Sequence, residues 1–300
     1  MTPVKEEKPL ITFWGTRGSI STPGRITEKY GGNTPCVAVT YEGTNIILDA
    51  GTGMRPLGIE LVEEFYREER PASSFHLFLS HTHWGHIQGI PYFLRGFMED
   101  AKLTIHGSPH KERYIESVLK NQMDSGYFPV SMSDVGADIS IQDISEEVIT
   151  LGPVVVDWQE QYLHPGGSLR YRLNVNGKKI VYATDVELNL IFDPDSNEPD
   201  KEVLAQEYRD FIYEADLLIA DGQYTEEEYS TRVGWGHTSI SLLLEIASQS
   251  KVKQLAVFHH DPQHSDRFLD ALSIESRSKY PFEEGEMDVF WAREGITLAI

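Results

Sequence analysis

Short runs of apolar and β-branched residues, bounded by turn residues, recur through the first half of the chain and predict β-strands. Two longer stretches, 55–70 and 109–122, instead carry apolar residues at helical spacing, which predicts α-helices. The predicted strands of this half are ITFW (11–14), CVAVTY (36–41), NIILDAG (45–51), FHLFLS (75–80) and KLTIHG (102–107).

The second half has the same organisation. Helices are predicted near 201–214, in SISLLLEIASQ (239–249) and over 265–280. Because strands and helices mix throughout and no linker separates them, we expect one α/β domain, 1–300, with helices covering sheets. Residues 1–10 are expected to form a flexible N-terminus. The predicted strands of this half are VVVDWQEQYL (154–163), LRYRLNV (169–175), KKIVYATD (178–185), ADLLIADG (215–222) and KQLAVFHH (253–260).

The composition is that of an ordinary globular protein, with 40% apolar and 24% charged residues among 300. The chain is strongly acidic, since 47 acidic and 26 basic residues give a net charge of −21. Such a field repels polyanions, so we expect no large nucleic acid as a partner. A small anionic substrate stays compatible with this charge, because a bound metal ion can invert the local field.

Other features of the sequence bear on location and assembly. No apolar run approaches the roughly 18 residues of a membrane helix, so no membrane partner is expected. No secretory signal is visible, and the single cysteine, Cys36, has no partner for an internal disulfide. We therefore expect a cytoplasmic protein, and the sequence leaves a homodimer open.

Three histidines lie close together directly after a predicted strand: His81, His83 and His86 in HTHWGHIQG. In an extended segment, residues two apart point to the same side, and the third histidine follows as the chain turns into a helix. Neutral nitrogen donors that converge at a strand end suit a divalent cation such as zinc. The alternative is a chance cluster on the surface.

This segment resembles the HxHxDH signature of the metallo-β-lactamase superfamily. Further segments, spread over about residues 11–295, are similar to those of a bacterial group of metal-dependent hydrolases within it. The resemblance implies an αββα sandwich, in which two mixed sheets face each other, helices lie outside and metal ions bind at one edge between the sheets. The similar segments are, in order, FWGTRGSISTPG, YGGNTPCV, ILDAGTG, LHPGGSLRYR, YATD, ADGQY, GWGHTS and FHHDPQHSD.

The superfamily pattern, carried over by position, implies two adjacent metal sites that share one bridging carboxylate. The implied ligands are His81, His83 and His164 for the first site, His86 and His259 for the second, and Asp185 between them. His260 is the alternative to His259, because strand alternation lets only one of this pair face the cluster. Zinc is the expected ion, as one or two ions, with manganese or iron as alternatives. Asp185 also fits this role by its position, since a carboxylate after a buried strand is costly unless it is paired or bound to metal.

The chain departs from the superfamily pattern at Gly85, where the pattern has an aspartate that binds the second metal and positions the hydrolytic water. Glycine offers no ligand atom. We therefore expect weaker binding at the second site and reduced hydrolysis.

His237 in GWGHTSIS precedes a predicted helix. In related phosphodiesterases of the superfamily, a histidine in such a segment protonates the leaving oxygen and a carboxylate orients it. The resemblance therefore implies His237 as the catalytic acid, with Asp221 as its orienting group and Asp185 as the third catalytic residue. A structural role for His237 in the loop is the alternative.

Four residues near the motifs are candidates for substrate binding. Arg17 in TRGS, with help from Asn33, could reach an anionic substrate over the metals, although these segments also read as turns. Trp84 and Trp235 lie beside histidine motifs and could stack on a base or ring, although aromatic side chains are more often part of a core.

The remaining histidines are interpreted as structural or supporting residues. His76 lies in a predicted strand and is taken as structural. His106 and His110 flank a turn and are taken as surface residues or as residues behind the ligands, and His264 as a loop or cap residue.

The leading hypothesis from these observations is a metal-dependent phosphodiesterase that acts on a small anionic ester such as a cyclic nucleotide. Enzymatic alternatives are a tRNA-processing-like nuclease, because such enzymes of the superfamily share the GHTS-like histidine, and a lactone or thioester hydrolase. The alternative of another class is a non-hydrolytic, metal-containing ligand-binding or sensor protein, because Gly85 replaces a ligand.

Overall fold

The computed structural model describes residues 7–67, 74–107, 115–144, 146–279 and 287–300, which contain two seven-stranded sheets. The strands of the first sheet are β1 (Leu10–Gly15), β2 (Cys36–Tyr41), β3 (Thr44–Leu48), β4 (Ser74–Phe78), β5 (Lys102–Gly107), β6 (Asp138–Asp143) and β14 (Thr297–Ala299). Their order is β14-β1-β2-β3-β4-β5-β6. Pairing is antiparallel from β14 to β3 and parallel from β3 to β6, so four parallel strands end at one edge.

The second sheet has the same construction. Its strands are β7 (Val148–Leu151), β8 (Val154–Gln161), β9 (Ser168–Val175), β10 (Lys178–Ala183), β11 (Leu217–Asp221), β12 (Gln254–Phe258) and β13 (Asp288–Trp291). The order is β13-β12-β11-β10-β9-β8-β7, antiparallel from β7 to β10 and parallel from β10 to β13.

Helices cover the outer face of each sheet. Those of the first half are α1 (Met54–Tyr66), α2 (Trp84–Ile87) and α3 (Ile115–Gln122), with 3-10 turns at Ile90–Tyr92, Leu94–Phe97 and Met132–Asp134. Those of the second half are α4 (Leu188–Phe192), α5 (Lys201–Ile212), α6 (Glu226–Tyr229), α7 (Ile240–Gln249) and α8 (Asp266–Lys279). Within the described ranges, no helix is long and apolar enough to cross a membrane.

Three apolar clusters hold these layers together. The central cluster lies between the sheets and contains Phe13, Tyr171 and Phe258, all fully buried. The other two lie between each sheet and its helices, around Leu57 on one side and Leu243 on the other. The expected αββα sandwich is therefore confirmed.

All ten predicted strands are present, and the four that the sequence analysis missed are β6, β7, β13 and β14. These are the outer strands of the two sheets. They are short, and β6 alternates between exposed and half-buried residues. An outer strand has a neighbour on one side only and carries more polar residues, so its hydrophobic pattern is weak. Residues 109–114 of the predicted helix 109–122 lie outside the described residues, as do residues 1–6 of the expected flexible N-terminus, whereas Leu10 already begins β1.

Several predicted strands end earlier than the sequence pattern suggested, and three of them end at a sharp turn. After β3, β10 and β12 the chain turns sharply at Asp49, Asp185 and His259, which adopt left-handed φ values of 60°, 56° and 59°. Such a conformation is unfavourable for residues other than glycine and costs on the order of 1 kcal/mol or more. All three turns lie at the edge where the parallel strands of both sheets end.

Candidate active site

The functional side chains lie at the carboxyl ends of parallel strands. Asp49 follows β3, His81 follows β4, Asp185 follows β10, Asp221 ends β11 and His259 follows β12. The loops from facing sheets meet at this edge and bring residues far apart in sequence into one buried cluster. A cavity of about 190 Å³ opens there, lined by Ser19, His83, Trp84, Gly85, His86, His164, Asp185, His237 and His259.

The first metal site predicted from sequence is assembled in the structure. Potential ligand atoms of His81, His83 and His164 lie within 4.8 Å of one another. His164 uses Nδ1 to donate to the Gly236 carbonyl oxygen at 2.9 Å, so its Nε2 faces the cluster and lies 3.1 Å from His83 Nδ1. Burial lowers the pKa of His164 to about 4, which leaves its imidazole neutral and able to bind a cation.

His81 provides the clearest sign that this cluster fits a metal ion. Its Nδ1 donates to the Ser80 hydroxyl at 3.0 Å, because Ser80 in turn donates to Asp49 Oδ2 at 2.7 Å. His81 Nε2 then carries a lone pair, is buried and has no hydrogen-bond partner among the described residues. Burial lowers the pKa of His81 well below its ordinary value. A buried neutral nitrogen without a donor is costly, and a divalent cation would satisfy it.

The second predicted site lies directly beside the first. His86 Nε2 is 3.3 Å from His259 Nε2 and 3.4 Å from Asp185 Oδ2. Asp185 Oδ1 lies 3.4 Å from His259 Nε2 and 3.9 Å from His81 Nε2, so this carboxylate stands between the two groups of histidines. Burial raises the pKa of Asp185, but His259, His86 and His81 outweigh burial and lower it well below the ordinary value. This arrangement fits a bridging ligand.

The structure turns His259, and not His260, towards the cluster. His259 donates from Nδ1 to the Gln223 side-chain oxygen at 2.8 Å, which leaves Nε2 for a metal. His260 Nε2 donates to the Ala292 carbonyl oxygen at 2.7 Å, and its ring packs edge-on against Tyr30. Among the described residues, His260 belongs to none of the groups whose ligand atoms lie close enough together to hold an ion, whereas His259 does.

Asp49 is the main residue that the sequence analysis missed. This fully buried carboxylate accepts hydrogen bonds from Ser80 N, from His86 Nδ1 and from Tyr182 Oη, each at 2.7 Å. It thereby orients His86 and, through Ser80, also His81. Burial lowers the pKa of His86, but Asp185 and Asp49 outweigh burial and raise it to about 10, so a metal must displace a proton there. Asp49 comes directly after the apolar run NIIL, just as Asp185 comes after a buried strand. The argument that such a carboxylate must be paired or bound to metal therefore also applied to Asp49.

Gly85 lies where the missing ligand would have been, and the backbone of Ser19 fills the space beside it. A Cβ atom on Gly85 would lie 2.9 Å from the Ser19 carbonyl oxygen. Ser19 has a left-handed φ of 58° and lines the same cavity. The loop before β2 therefore packs closer to the second metal site than a residue with a side chain at position 85 would allow.

His237 and Asp221 form a close pair beside the potential metal ligands. His237 Nδ1 donates to Asp221 Oδ2 at 2.6 Å, and the His237 ring stacks on His259 with centroids 5.0 Å apart. Burial lowers the pKa of His237, but the Asp221 carboxylate outweighs burial and raises it. Glu187 holds the loop in place, since it accepts hydrogen bonds from Gly234 N at 2.7 Å and from Gly236 N at 2.8 Å. The geometry can hold a proton on His237 next to the metal ligands.

Arg17 and Asn33 do not reach the cavity, which corrects the expectation that they bind substrate. Arg17 is fully buried and donates to the carbonyl oxygens of Gly31 at 2.8 Å and His264 at 2.7 Å. Asn33 Nδ2 donates to Glu294 at 2.9 Å. Both side chains join the loop before β2 to the C-terminal part of the chain, because buried polar groups must find partners within the fold.

The two tryptophans differ in position. Trp84 lines the cavity and is 65% exposed. Trp235 is 59% exposed and lies beside Gly236, but it is not among the described residues that line the cavity. Trp84 is therefore the better placed of the two to contact a substrate.

The remaining histidines that the structure describes belong to none of the groups of potential metal ligands. His76 Nδ1 and His106 Nε2 are 3.2 Å apart, and the ring of His106 is buried against Phe78 at 4.4 Å, so His106 is not a surface residue. His264 Nε2 donates to Glu228 at 2.8 Å. His110 lies outside the described residues.

Comparisons with known proteins agree with this geometry. Residues 44–260 match the family model described as Beta-lactamase superfamily domain. The chain is 26% identical over 303 aligned positions to Ribonuclease Z of Pyrococcus horikoshii, with 85% of this chain and 87% of that protein covered. Its fold is similar to that of unliganded yeast PDE1, with a TM-score of 0.64, 17% identity and coverage of 98% of this chain and 100% of the other. It is also similar to the short form of human tRNase Z, with a TM-score of 0.61, 16% identity and coverage of 97% and 99%.

These relatives correct the expectation about partners. The expectation that no large nucleic acid is a partner is wrong, because relatives that match most of the chain are named Ribonuclease Z. The net charge of −21 is a sum over the whole sequence. It does not describe the field at a cluster of histidines that can hold divalent cations, whose own charge dominates locally.

Proposed function

Because the chain belongs to the metallo-β-lactamase superfamily and is a metal-dependent hydrolase of that superfamily, we propose that it hydrolyses a phosphodiester bond in RNA, as a tRNA-processing nuclease. The observation that carries this proposal is the buried His237–Asp221 pair, which lies directly beside the potential metal ligands, with His237 lining the same cavity. The Ribonuclease Z relatives support RNA as the substrate class. Zinc is the proposed ion, since a donor set dominated by imidazole suits it.

The residues of the site would have three roles: some hold metal ions, some orient the metal ligands, and one donates a proton. The three histidines of the first site would hold one ion, and His86, His259 and Asp185 would hold a second one more weakly, since Gly85 adds no ligand. A bound divalent cation supplies Lewis-acid activation of the phosphoryl group and a more acidic water. Asp49 and Gln223 orient the ligand histidines from behind.

His237 is the proposed general acid for the leaving oxygen. Its Nδ1 proton is engaged by Asp221, so Nε2 is the atom that transfers a proton. Asp221 fixes the ring orientation and stabilises the imidazolium, which is the state from which an acid must start. The cavity of about 190 Å³ fits a phosphate group and its immediate substituents, so a longer RNA must continue outside it.

The test compares three substrates with the zinc-loaded protein. They are a precursor tRNA with a 3′ trailer, a single-stranded RNA of the trailer sequence and a cyclic nucleotide. We expect release of the trailer from the precursor, complete loss of cleavage after exhaustive chelation, and recovery when zinc or manganese is returned. Chelation should also lower the melting temperature, because an ion that binds only the folded state stabilises it.

Two results would overturn the proposal. Turnover of the cyclic nucleotide while the precursor stays intact would favour a phosphodiesterase with small substrates. Absence of any turnover in protein with full metal content would favour the non-hydrolytic sensor.

A further inference from the structure

A second cavity adjoins the metal site. It has a volume of about 580 Å³ and lies between α2, α3 and Tyr127. His83 and Trp84 line both this cavity and the one that contains the metal ligands, so the two cavities are neighbours that meet at these side chains. Its volume is within the range of about 300–1,000 Å³ that is typical of ligand sites. We refer to it as the side pocket.

The walls of the side pocket are aromatic and apolar. Trp84 and Tyr127 are 65% and 78% exposed, and Ile87 and Val118 provide apolar surface. Apart from His83, none of the lining residues that the structure describes is ionisable at pH 7. The exposed Asn121 adds an amide that can both donate and accept hydrogen bonds.

The side pocket is also held in shape. The Gln122 side-chain nitrogen donates to the Ile87 carbonyl oxygen at 2.9 Å, which joins α3 to α2. Leu119 anchors α3 in the apolar cluster of the first sheet. Since α2 carries His86, the position of the pocket relative to the metal ligands is set by the same short helix.

We propose that the side pocket binds one nucleobase of the RNA, next to the phosphate held at the metal site. This inference rests on the proposed function and names how the substrate is recognised. An uncharged, flat ring fits walls without formal charge, and bases of single-stranded RNA stack on exposed aromatic side chains. Away from the metal site, the net charge of −21 gives little attraction to the other phosphates of the RNA, so base stacking must supply more of the affinity there.

The experiment measures binding of adenosine, an uncharged nucleoside, by equilibrium dialysis with ribose as the probe that lacks a base. Tyr127→Leu removes one aromatic wall, and Asn121→Trp fills the pocket from the exposed side of α3. Tyr66→Leu is the matched control, because Tyr66 is a 74% exposed tyrosine at the end of α1 and lines neither cavity. Zinc content and melting temperature are measured for every variant.

We expect adenosine to bind and ribose not to bind. Tyr127→Leu should weaken adenosine binding by about 5- to 100-fold, the range for loss of one stacking contact, and Asn121→Trp should abolish it. Tyr66→Leu should have no effect. Adenosine binding that is equal in wild type and Asn121→Trp, or no stronger than that of ribose, would overturn the inference.

Cleavage of precursor tRNA is assayed separately, so the two proposals can fail independently. RNA cleavage without adenosine binding would refute the side pocket as a base site and leave the nuclease function in place. Adenosine binding that depends on Tyr127, without RNA cleavage, would support the base site and refute the nuclease.

Discussion

Gly85→Asp would restore the carboxylate that the superfamily pattern places at this position. The close contact with Ser19 determines how much stability the substitution loses. Gly85 lies inside α2 and its φ is not left-handed, so backbone strain is not the obstacle. The obstacle is the Cβ atom, which would lie 2.9 Å from the Ser19 carbonyl oxygen and 3.4 Å from its carbonyl carbon. The backbone at Ser19 must shift by a few tenths of an ångström before any side chain fits.

The magnitude can be estimated with Gly85→Ala as the matched control, because alanine adds the same Cβ without a ligand. Overpacking costs about 1–3 kcal/mol, and replacing glycine within a helix returns up to about 1 kcal/mol. The free energy of unfolding of metal-free Gly85→Ala should therefore fall by about 0–3 kcal/mol. If the added carboxylate tightens the second site about 10- to 100-fold, saturating zinc should make Gly85→Asp more stable than Gly85→Ala by about 1.4–2.8 kcal/mol.

The assay measures bound zinc per chain by mass spectrometry and unfolding with and without chelator, for wild type and both variants. We expect more zinc per chain in Gly85→Asp than in Gly85→Ala. In the metal-free protein, aspartate should give no higher free energy of unfolding than alanine, because it adds a carboxylate near Asp185. Equal zinc content in the two variants, with both folded, would refute the assigned arrangement of the second site. A metal-free Gly85→Ala protein that is more stable than wild type would refute the close contact with Ser19.

Three further predictions address other parts of the structure. His237→Ala should slow the cleavage of substrates with poor leaving groups by about 10²- to 10⁴-fold, should slow the cleavage of nitrophenyl esters less and should leave the zinc content unchanged. Loss of zinc, or an equal loss of rate on both kinds of substrate, would contradict the acid role. His76→Ala is the control. Asp49→Asn should weaken zinc binding by about 10- to 100-fold in competition with a chelator, because it disrupts the orientation of His86; unaltered affinity would contradict that role. Asp216 should stabilise the fold when its carboxylate is ionised, and not at acidic pH. Burial raises the pKa of Asp216, but the Lys179 amide and two lysine side chains outweigh burial and lower this pKa. The stabilisation is therefore present above the unfolded pKa of about 3.9 and is lost as the pH falls through the lowered folded pKa. Asp216→Asn should lower the free energy of unfolding by about 1 kcal/mol at pH 7, with a difference from wild type that shrinks towards pH 3; a difference independent of pH would refute this assignment.

The central part of the fold was predictable because it depends on local pattern. Strands such as β11 and β12 are buried on both faces, so their apolar runs are continuous and easily found. The outer strands carry no such signal, because one side of each has no neighbouring strand in its sheet and many of their residues meet water. The sharp turns at Asp185 and His259 were also invisible, since a left-handed φ at a residue other than glycine is imposed by tertiary packing and not by propensity.

From the sequence alone, the spacing of the histidines indicated a metal site, and the resemblance carried by the ordered motifs implied the superfamily, the αββα sandwich and a set of ligand candidates. Only the tertiary structure decided which of them converge. It selected His259 over His260 through the turn after β12, and it placed Asp49 behind His86. It also removed Arg17 from the substrate site, since carbonyl oxygens from distant segments surround its guanidinium group. Metal binding depends on distances between atoms from several strand ends, and these distances exist only once the two sheets have packed against each other.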